Sequence, residues 1–350
     1  MTSSGSYDVV VVGAGLTGAT IASALAQAGL QVVVLEATSR VGGSFKSWPG
    51  LAILGTTEPF SDLADRLGED AALQLWELTR ANLDQLAADL RSMEEPVDRV
   101  GSLRLAADAA ETERLRDSVT RLQAHGYEVK LEDHARQEDL AALNTSQDIR
   151  LVPHAFVERL LNHENIVLEL ESEVHRIHTR SEGDIAVWAH KSYLWAEKVV
   201  FANGIHLAGF SDTLEGILDP VRVHTIELQN TNRLRQPLII DGGHICFLPK
   251  GERGYLAGWG FDEQEILQRL TTIADQLCPS ARVYRRATSW TSRTPDGLPV
   301  VGQFPDQDNV YFASGLGPYG LNLTYIVADE IVNLLQWGQP SDTFHIDRLT

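Results

Sequence analysis

Apolar and polar positions follow different periods in different parts of the chain, and each period predicts a different element. Residues 8–12, Asp-Val-Val-Val-Val, end in an unbroken run of β-branched residues, the pattern of a strand buried on both faces. The run meets the turn Gly13-Ala14-Gly15-Leu16-Thr17-Gly18, which leads into a helix predicted over 19–28 and closed by Gly29. Residues 31–35, Gln-Val-Val-Val-Leu, read as a second strand and end on Glu36. The stretches 63–90 and 111–125 instead carry apolar residues at helical spacing, as in Leu75, Trp76 and Leu78 or Leu115, Val119 and Leu122, and predict amphipathic helices. A strand is expected between them over 98–105.

The second half alternates in the same way. A helix entered through Pro153 is expected over 153–162, a strand over 166–170 and a β-meander over 173–195. A further strand starts at Lys198 and ends in the small-residue turn Ala202-Asn203-Gly204. Residues 221–284 read as strands over 221–228, 237–241, 244–249 and 254–259, interrupted by a helix over 263–276. The pattern predicts an α/β fold: a Rossmann-type nucleotide-binding domain with an interleaved antiparallel-sheet substrate domain. The expected boundaries are 1–62, 151–210 and 290–350 for the first domain, and 63–150 and 211–289 for the second.

The first turn carries specific chemistry. Gly13 permits the tight turn, Gly15 removes a side chain where a pyrophosphate approaches the backbone, and Gly18 lets helix and strand pack closely. The helix start, with the Leu16 and Thr17 amides, offers unpaired N–H groups and a positive dipole end to phosphates. Glu36 stands where an acid accepts hydrogen bonds from ribose hydroxyls. Strand, turn, helix and acid-tipped strand together point to a dinucleotide, although this unit alone does not choose between FAD and NAD.

Composition narrows the partners. The chain has 350 residues, 43% apolar and 22% charged, with a net charge of −19, so it lacks the basic footprint that nucleic acid or an anionic membrane requires. Its two cysteines, Cys246 and Cys278, are far apart and form no redox or zinc motif, which fits a reducing compartment. No charged-then-apolar leader and no run of about 18 apolar residues is present, so a cytoplasmic location without a membrane span is expected.

Two further segments resemble known flavoproteins. Glu36-Ala37-Thr38-Ser39-Arg40-Val41-Gly42-Gly43-Ser44 resembles the glycine doublet that follows the ribose acid in amine-oxidising flavoproteins, where Arg40 and Ser44 would supply donors near the pyrophosphate. Near the C-terminus stand Thr294-Pro295-Asp296-Gly297 and the loop Gly315-Leu316-Gly317-Pro318-Tyr319-Gly320-Leu321-Asn322, followed by a helix to Leu335. With the Ala202–Gly204 turn, these segments resemble the D-amino-acid oxidase superfamily, which includes glycine and sarcosine oxidases and D-amino-acid dehydrogenases. The resemblance is colinear over nearly the whole chain.

It implies noncovalent FAD held by the first loop, by residues 36–44, by Val174 and by Ala202, Asn203 and Gly204. It also implies that Gly317, Tyr319, Gly320, Leu321 and Asn322 lie against the flavin ring, with the amides of residues 320–322 opening a helix toward its N1–C2=O edge. Trp48, Trp259, Thr291, Pro318 and Tyr319 are the substrate-facing candidates. The implied reaction is oxidation of a C–N bond of an amine or amino acid, with oxygen or a quinone as the final acceptor. Oxidation of a hydroxy acid, or flavin binding with little turnover, are the alternatives. Disulfide reductases fit worse, because the cysteine pair and a second, nicotinamide-binding Rossmann unit are missing, and so do flavin monooxygenases, which usually show a Gly-Asp pair before the last helix where this chain has Gly315-Leu316.

Two positions depart from the family pattern. Thr291 replaces an arginine that usually holds substrate carboxylate, and Leu316 replaces a histidine. Neither cysteine lies in a segment expected to touch the ring. No side chain stands out as a catalytic base.

Overall fold

A computed structural model describes residues 6–91, 98–133, 140–180, 183–210, 214, 216–231, 234–260, 262–338 and 341–349. Residues 181–182 of the expected meander and residues 211–213 at the expected domain boundary lie outside this set. The chain divides into two compact units, one of residues 1–46, 153–221 and 290–350, the other of 47–152 and 222–289. Three stretches fall differently from the expected boundaries: 47–62 and 151–152 belong to the second unit, and the described residues of 211–221 to the first.

In the first unit the strand Ser6–Val12 is central. It pairs in parallel with Val32–Leu35 on one side and with Tyr193–Phe201 on the other, and Val32–Leu35 pairs in parallel with Ile166–Glu169. The far edge of Tyr193–Phe201 is shared, first by the antiparallel strand Ile185–Ala189 and then by the parallel strand Val310–Ser314. Val9, Val10 and Val11 are at most 1% exposed, which explains the unbroken valine run: both faces are covered. Val10, Val12, Val33 and Leu35 share a core with the meander residues Ile185, Val187 and Leu194. Each such aliphatic side chain contributes roughly 1.5–3 kcal/mol of burial free energy. The helices Leu16–Gln27 and Thr324–Trp337 pack together, and the Thr20 and Thr324 hydroxyls meet 3.0 Å apart at a contact with no exposure.

The second unit is built on an eight-stranded sheet in the order Arg282–Arg293, Asp219–Gln229, Arg253–Gly260, Ile245–Lys250, Leu238–Ile240, Ser102–Leu105, Ala141–Thr145 and Val129–Asp133. The helix Glu263–Leu277, capped by Asp262 on the Glu265 amide, lays Ile266, Leu270, Ala274 and Leu277 on Ile226, Leu228, Phe247 and Leu256. The helix Ala109–Ala124 is held by a reciprocal cap: Glu111 N–H donates to Asp108 and Ala107 N–H to the Glu111 carboxylate.

Three expected elements are adjusted. The first helix begins at Leu16 rather than at 19, so Gly18 lies in its first turn. The helix expected over 63–90 is two helices, Phe60–Leu67 and Glu69–Leu90, broken by Gly68 at φ +89°. The strand expected over 98–105 is likewise two, Asp98–Arg99 and Ser102–Leu105, which join different sheets. Gly101, at φ +61°, makes the break; a Cβ there would stand 2.5 Å from the Thr145 carbonyl oxygen. No helix among the described residues is long and apolar enough to cross a membrane.

Candidate functional site

The loops that follow three neighbouring parallel strands, Ser6–Val12, Tyr193–Phe201 and Val310–Ser314, meet at the carboxyl edge of the sheet, where open α/β sheets bind ligands. Ala202 N–H donates to Val12 O at 2.9 Å, and the Ser314 hydroxyl donates to Gly204 O at 3.4 Å. Residues predicted as three separate segments are therefore adjacent.

Close packing shapes the first loop. Gly13 is at φ +106°, and a Cβ on it would come within 2.9 Å of Ala202 O; a Cβ on Gly18 would come within 1.9 Å of Gly13 O. Gly15 is different, because a Cβ there would meet nothing within 4 Å. Gly15 caps the helix with no side-chain hydrogen bond, and the first turn holds no acidic residue. The first intrahelical bond is Ala19 N–H to Gly15 O, so the amides of Leu16, Thr17 and Gly18 precede the ladder. The result is a positive helix end with clear space over it.

Glu36, 7% exposed, is held at both carboxylate oxygens. Oε2 accepts Ala14 N–H at 2.9 Å, and Oε1 accepts the Thr38 N–H at 2.9 Å and the Thr38 hydroxyl at 2.8 Å. Thr38 was not singled out in the sequence, although a threonine two residues past an acid is a local turn signal. The glycine doublet folds onto the first loop: Gly42 N–H donates to Ala14 O at 2.8 Å, and a Cβ on Gly43 would lie 3.4 Å from Gly15 Cα. Ala37, Arg40 and Ser44 are exposed. Val174 begins the meander with its side chain in the core.

Asn203 supplies an orphan. Its buried side-chain oxygen has no hydrogen-bond partner, and its Cα lies 3.2 Å from where a Cβ on Gly13 would be.

Contacts from residues 291–294 hold the last loop. Gly317 N–H donates to Ser292 O at 2.9 Å, Gly315 N–H to the Ser292 hydroxyl at 3.3 Å, and the Thr291 hydroxyl to Gly317 O at 3.3 Å. Gly315 and Gly317 have φ of +77° and +67°, and a Cβ on Gly317 would meet nothing within 4 Å. The expected helix opening over 320–322 is corrected: Gly320–Asn322 is a 3₁₀ turn, and the α-helix starts at Thr324. Asn322 N–H is taken by Tyr319 O at 2.9 Å, so it is not one of the amides left to a ligand.

The substrate-facing candidates divide between the units. Thr291, Pro318 and Tyr319 lie in the first, with Tyr319 5% exposed. Trp48 and Trp259 lie in the second and pack against each other, with ring centroids 5.8 Å apart. His244 is exposed, its Nδ1 3.0 Å from Asp241 O. Cys246 and Cys278 are both buried in the second unit. Among the described residues, no group of three or more His, Cys, Asp or Glu side chains is placed to hold a metal.

Comparison with known proteins agrees with this geometry. A glycine oxidase of Bacillus licheniformis is 25% identical over 97% of this chain and 96% of its own length. The crystal structure of glycine oxidase from Geobacillus kaustophilus superposes with a TM-score of 0.79 at 22% identity, covering 97% of this chain and 96% of that one. An L-amino acid deaminase from Proteus vulgaris superposes with a TM-score of 0.80 at 16% identity, covering 99% and 95%. The family described as FAD dependent oxidoreductase matches residues 8–334, nearly the whole chain, and with the three glycine-bearing loops at one sheet edge this makes the protein a member of that family and an FAD-dependent oxidoreductase.

Proposed function

We propose that the three loops hold FAD noncovalently and that the protein oxidises the C–N bond of an amine or amino acid. The observation that carries the cofactor side is the uncapped helix start at Gly15, with clear space above it and the locked Glu36 beside it. The amides of Leu16, Thr17 and Gly18 would bind the pyrophosphate, with Arg40 and Ser44 as further donors. Glu36 would accept from the ribose hydroxyls, its orientation already set by Ala14 and Thr38. Asn203 would gain the partner that its buried oxygen lacks. Gly317, Tyr319, Gly320 and Leu321 would lie against the flavin ring. No cysteine or histidine stands in residues 13–18, 36–44 or 315–322, which supports noncovalent attachment.

FAD when bound supplies the acceptor for a hydride from the carbon beside the substrate nitrogen, leaving an imine that water hydrolyses. The protein's part is orientation and electrostatics: loop amides at the ring edge where negative charge grows, and a pocket that orders the substrate. The names of the relatives, glycine oxidase and L-amino acid deaminase, support a nitrogen-bearing substrate. The Thr291 hydroxyl donates to Gly317 O and offers no cationic fork, so a substrate carboxylate would have to be held elsewhere or be absent.

The test is anaerobic reduction of the FAD-loaded protein by a panel of glycine, sarcosine, D- and L-amino acids, primary and secondary amines and hydroxy acids. Bleaching by an amine or amino acid, faster as pH rises and the neutral amine accumulates, is the expected result. Bleaching by hydroxy acids alone would overturn the proposed reaction.

A further inference from the structure

We propose that Arg348, at the C-terminal end of the chain, is a positioning residue for the Gly315–Asn322 loop and tunes the bound cofactor through Asp296 and Thr294. The proposal rests on the reading of that loop as the one against the flavin ring.

The C-terminal turn is docked rather than trailing. Phe344 is 1% and Ile346 8% exposed, and Val301 N–H donates to Phe344 O at 2.9 Å. This anchoring places the Arg348 side chain, 14% exposed, over the Asp296 turn. Its Nε donates to Asp296 Oδ2 at 2.8 Å and Nη2 to Oδ1 at 3.3 Å; Nη2 also reaches Leu298 O at 2.8 Å and Nη1 reaches His345 O at 3.1 Å. The fork spans both carboxylate oxygens and two carbonyls, a set that the point charge of lysine cannot reproduce.

Asp296 in turn organises the residues before the loop. Its Oδ1 accepts Leu298 N–H at 3.0 Å and the Thr294 hydroxyl at 2.9 Å. Burial pushes the Asp296 carboxyl up, but the bonds from Arg348, Leu298 and Thr294 outweigh it and hold it below the usual carboxylate range. Thr294, 1% exposed, then stands against the loop, with its Cγ2 2.8 Å from where a Cβ on Gly315 would be. Two residues earlier, Ser292 carries the bonds to the Gly315 and Gly317 amides. A packed path thus runs from the chain end to the loop amides. Those two amides are spent on Ser292 and fix the backbone of the loop, and a shift of about 1 Å in a loop that lies against reacting atoms is costly.

An arginine that only anchors the chain end would change stability and nothing else. The experiment therefore reads the midpoint potential and visible spectrum of bound FAD, beside the melting temperature, in Arg348→Met, Arg348→Lys, Asp296→Asn and the Arg348→Met/Asp296→Asn double variant. Arg348→Met is expected to make reduction at least tenfold less favourable, about 30 mV for a two-electron couple, with a perturbed spectrum. Arg348→Lys should fall between it and wild type, and the double variant should be no worse than Arg348→Met alone. An unchanged potential and spectrum in folded Arg348→Met would overturn the proposal; should that variant not fold, the same result in Arg348→Lys would do so. Wild-type protein that takes up no FAD would overturn the loop assignment itself, and this proposal with it.

Discussion

Residues 13–18 and 315–320 share one spelling, Gly-x-Gly-x-x-Gly, and both follow a buried parallel strand, yet they are built differently. In the first, the last glycine is locked against the first: a Cβ on Gly18 would stand 1.9 Å from Gly13 O, and the α-helix starts inside the motif. In the second, a Cβ on Gly320 would meet the side chain of Leu316 at 3.1 Å, and a 3₁₀ turn intervenes before the helix at Thr324. The first loop is therefore shaped to present a helix end. The second keeps an open place at Gly317 and closes on itself through Tyr319 O and Asn322 N–H.

Each loop also has a carboxylate behind it, buried at Glu36 and partly exposed at Asp296. Glu36 reaches the first loop directly, at Ala14 N–H, whereas Asp296 reaches the second only through Thr294. A ligand oxygen at the first loop would meet fixed backbone donors. At the second, the place of the backbone depends on a chain of side chains. Identical glycine spacing thus carries little meaning until the residues packed behind it are known.

The difference predicts a graded series of effects. Gly18→Ala forces the Gly13 carbonyl to move and should abolish FAD uptake while costing about 1–3 kcal/mol or more of stability, read by flavin titration and thermal unfolding. FAD uptake within threefold of wild type would show that the first loop is not locked as described. Glu36→Gln keeps the shape but replaces the charged acceptor shared by Ala14 and Thr38, and about 1.5–3 kcal/mol of hydrogen bonding to a charged group is at stake. An increase of tenfold or more in the Kd for FAD is expected.

Acid should act on the second loop's support. The folded-state pKa of Asp296 lies below its unfolded value, so its contribution is present above about pH 3.9 and is lost as pH falls through the folded value. Asp296→Asn should lower the melting temperature at pH 6–7 and flatten its decline below about pH 4; an unchanged acid limb would remove Asp296 from the account. Gly320→Ala should have the smallest effect, because its nearest neighbour, Leu316 Cβ at 3.1 Å, needs to give by only a few tenths of an ångström. A loss under about 1 kcal/mol is expected in thermal unfolding.

The same comparison explains what was legible in the sequence. The first loop was readable because all its determinants, the valine run, Gly13, Gly15, Gly18 and Glu36, lie within a few dozen residues and obey local rules of turn, helix and strand. The FAD-dependent family followed from that unit together with the doublet and the C-terminal run. The support of the second loop was not readable, since nothing near Asp296 in sequence announces Arg348 as its partner. Gly68 and Gly101 escaped for another reason: apolar spacing continues through both, and only a positive φ at each breaks the element. The opening of the last helix was misplaced because Asn322 N–H bonds back to Tyr319 O, a choice between 3₁₀ and α geometry that composition does not decide.

The division of labour between the loops is tested most directly by titrating wild type and Gly317→Val with both FAD and ADP, which carries the adenosine and pyrophosphate but no flavin ring. A side chain at Gly317, held at φ +67° beside open space, should leave ADP affinity within threefold of wild type and weaken FAD at least tenfold. Equal loss of both ligands, or no loss of either, would contradict the assignment of the pyrophosphate to the first loop and the ring to the second.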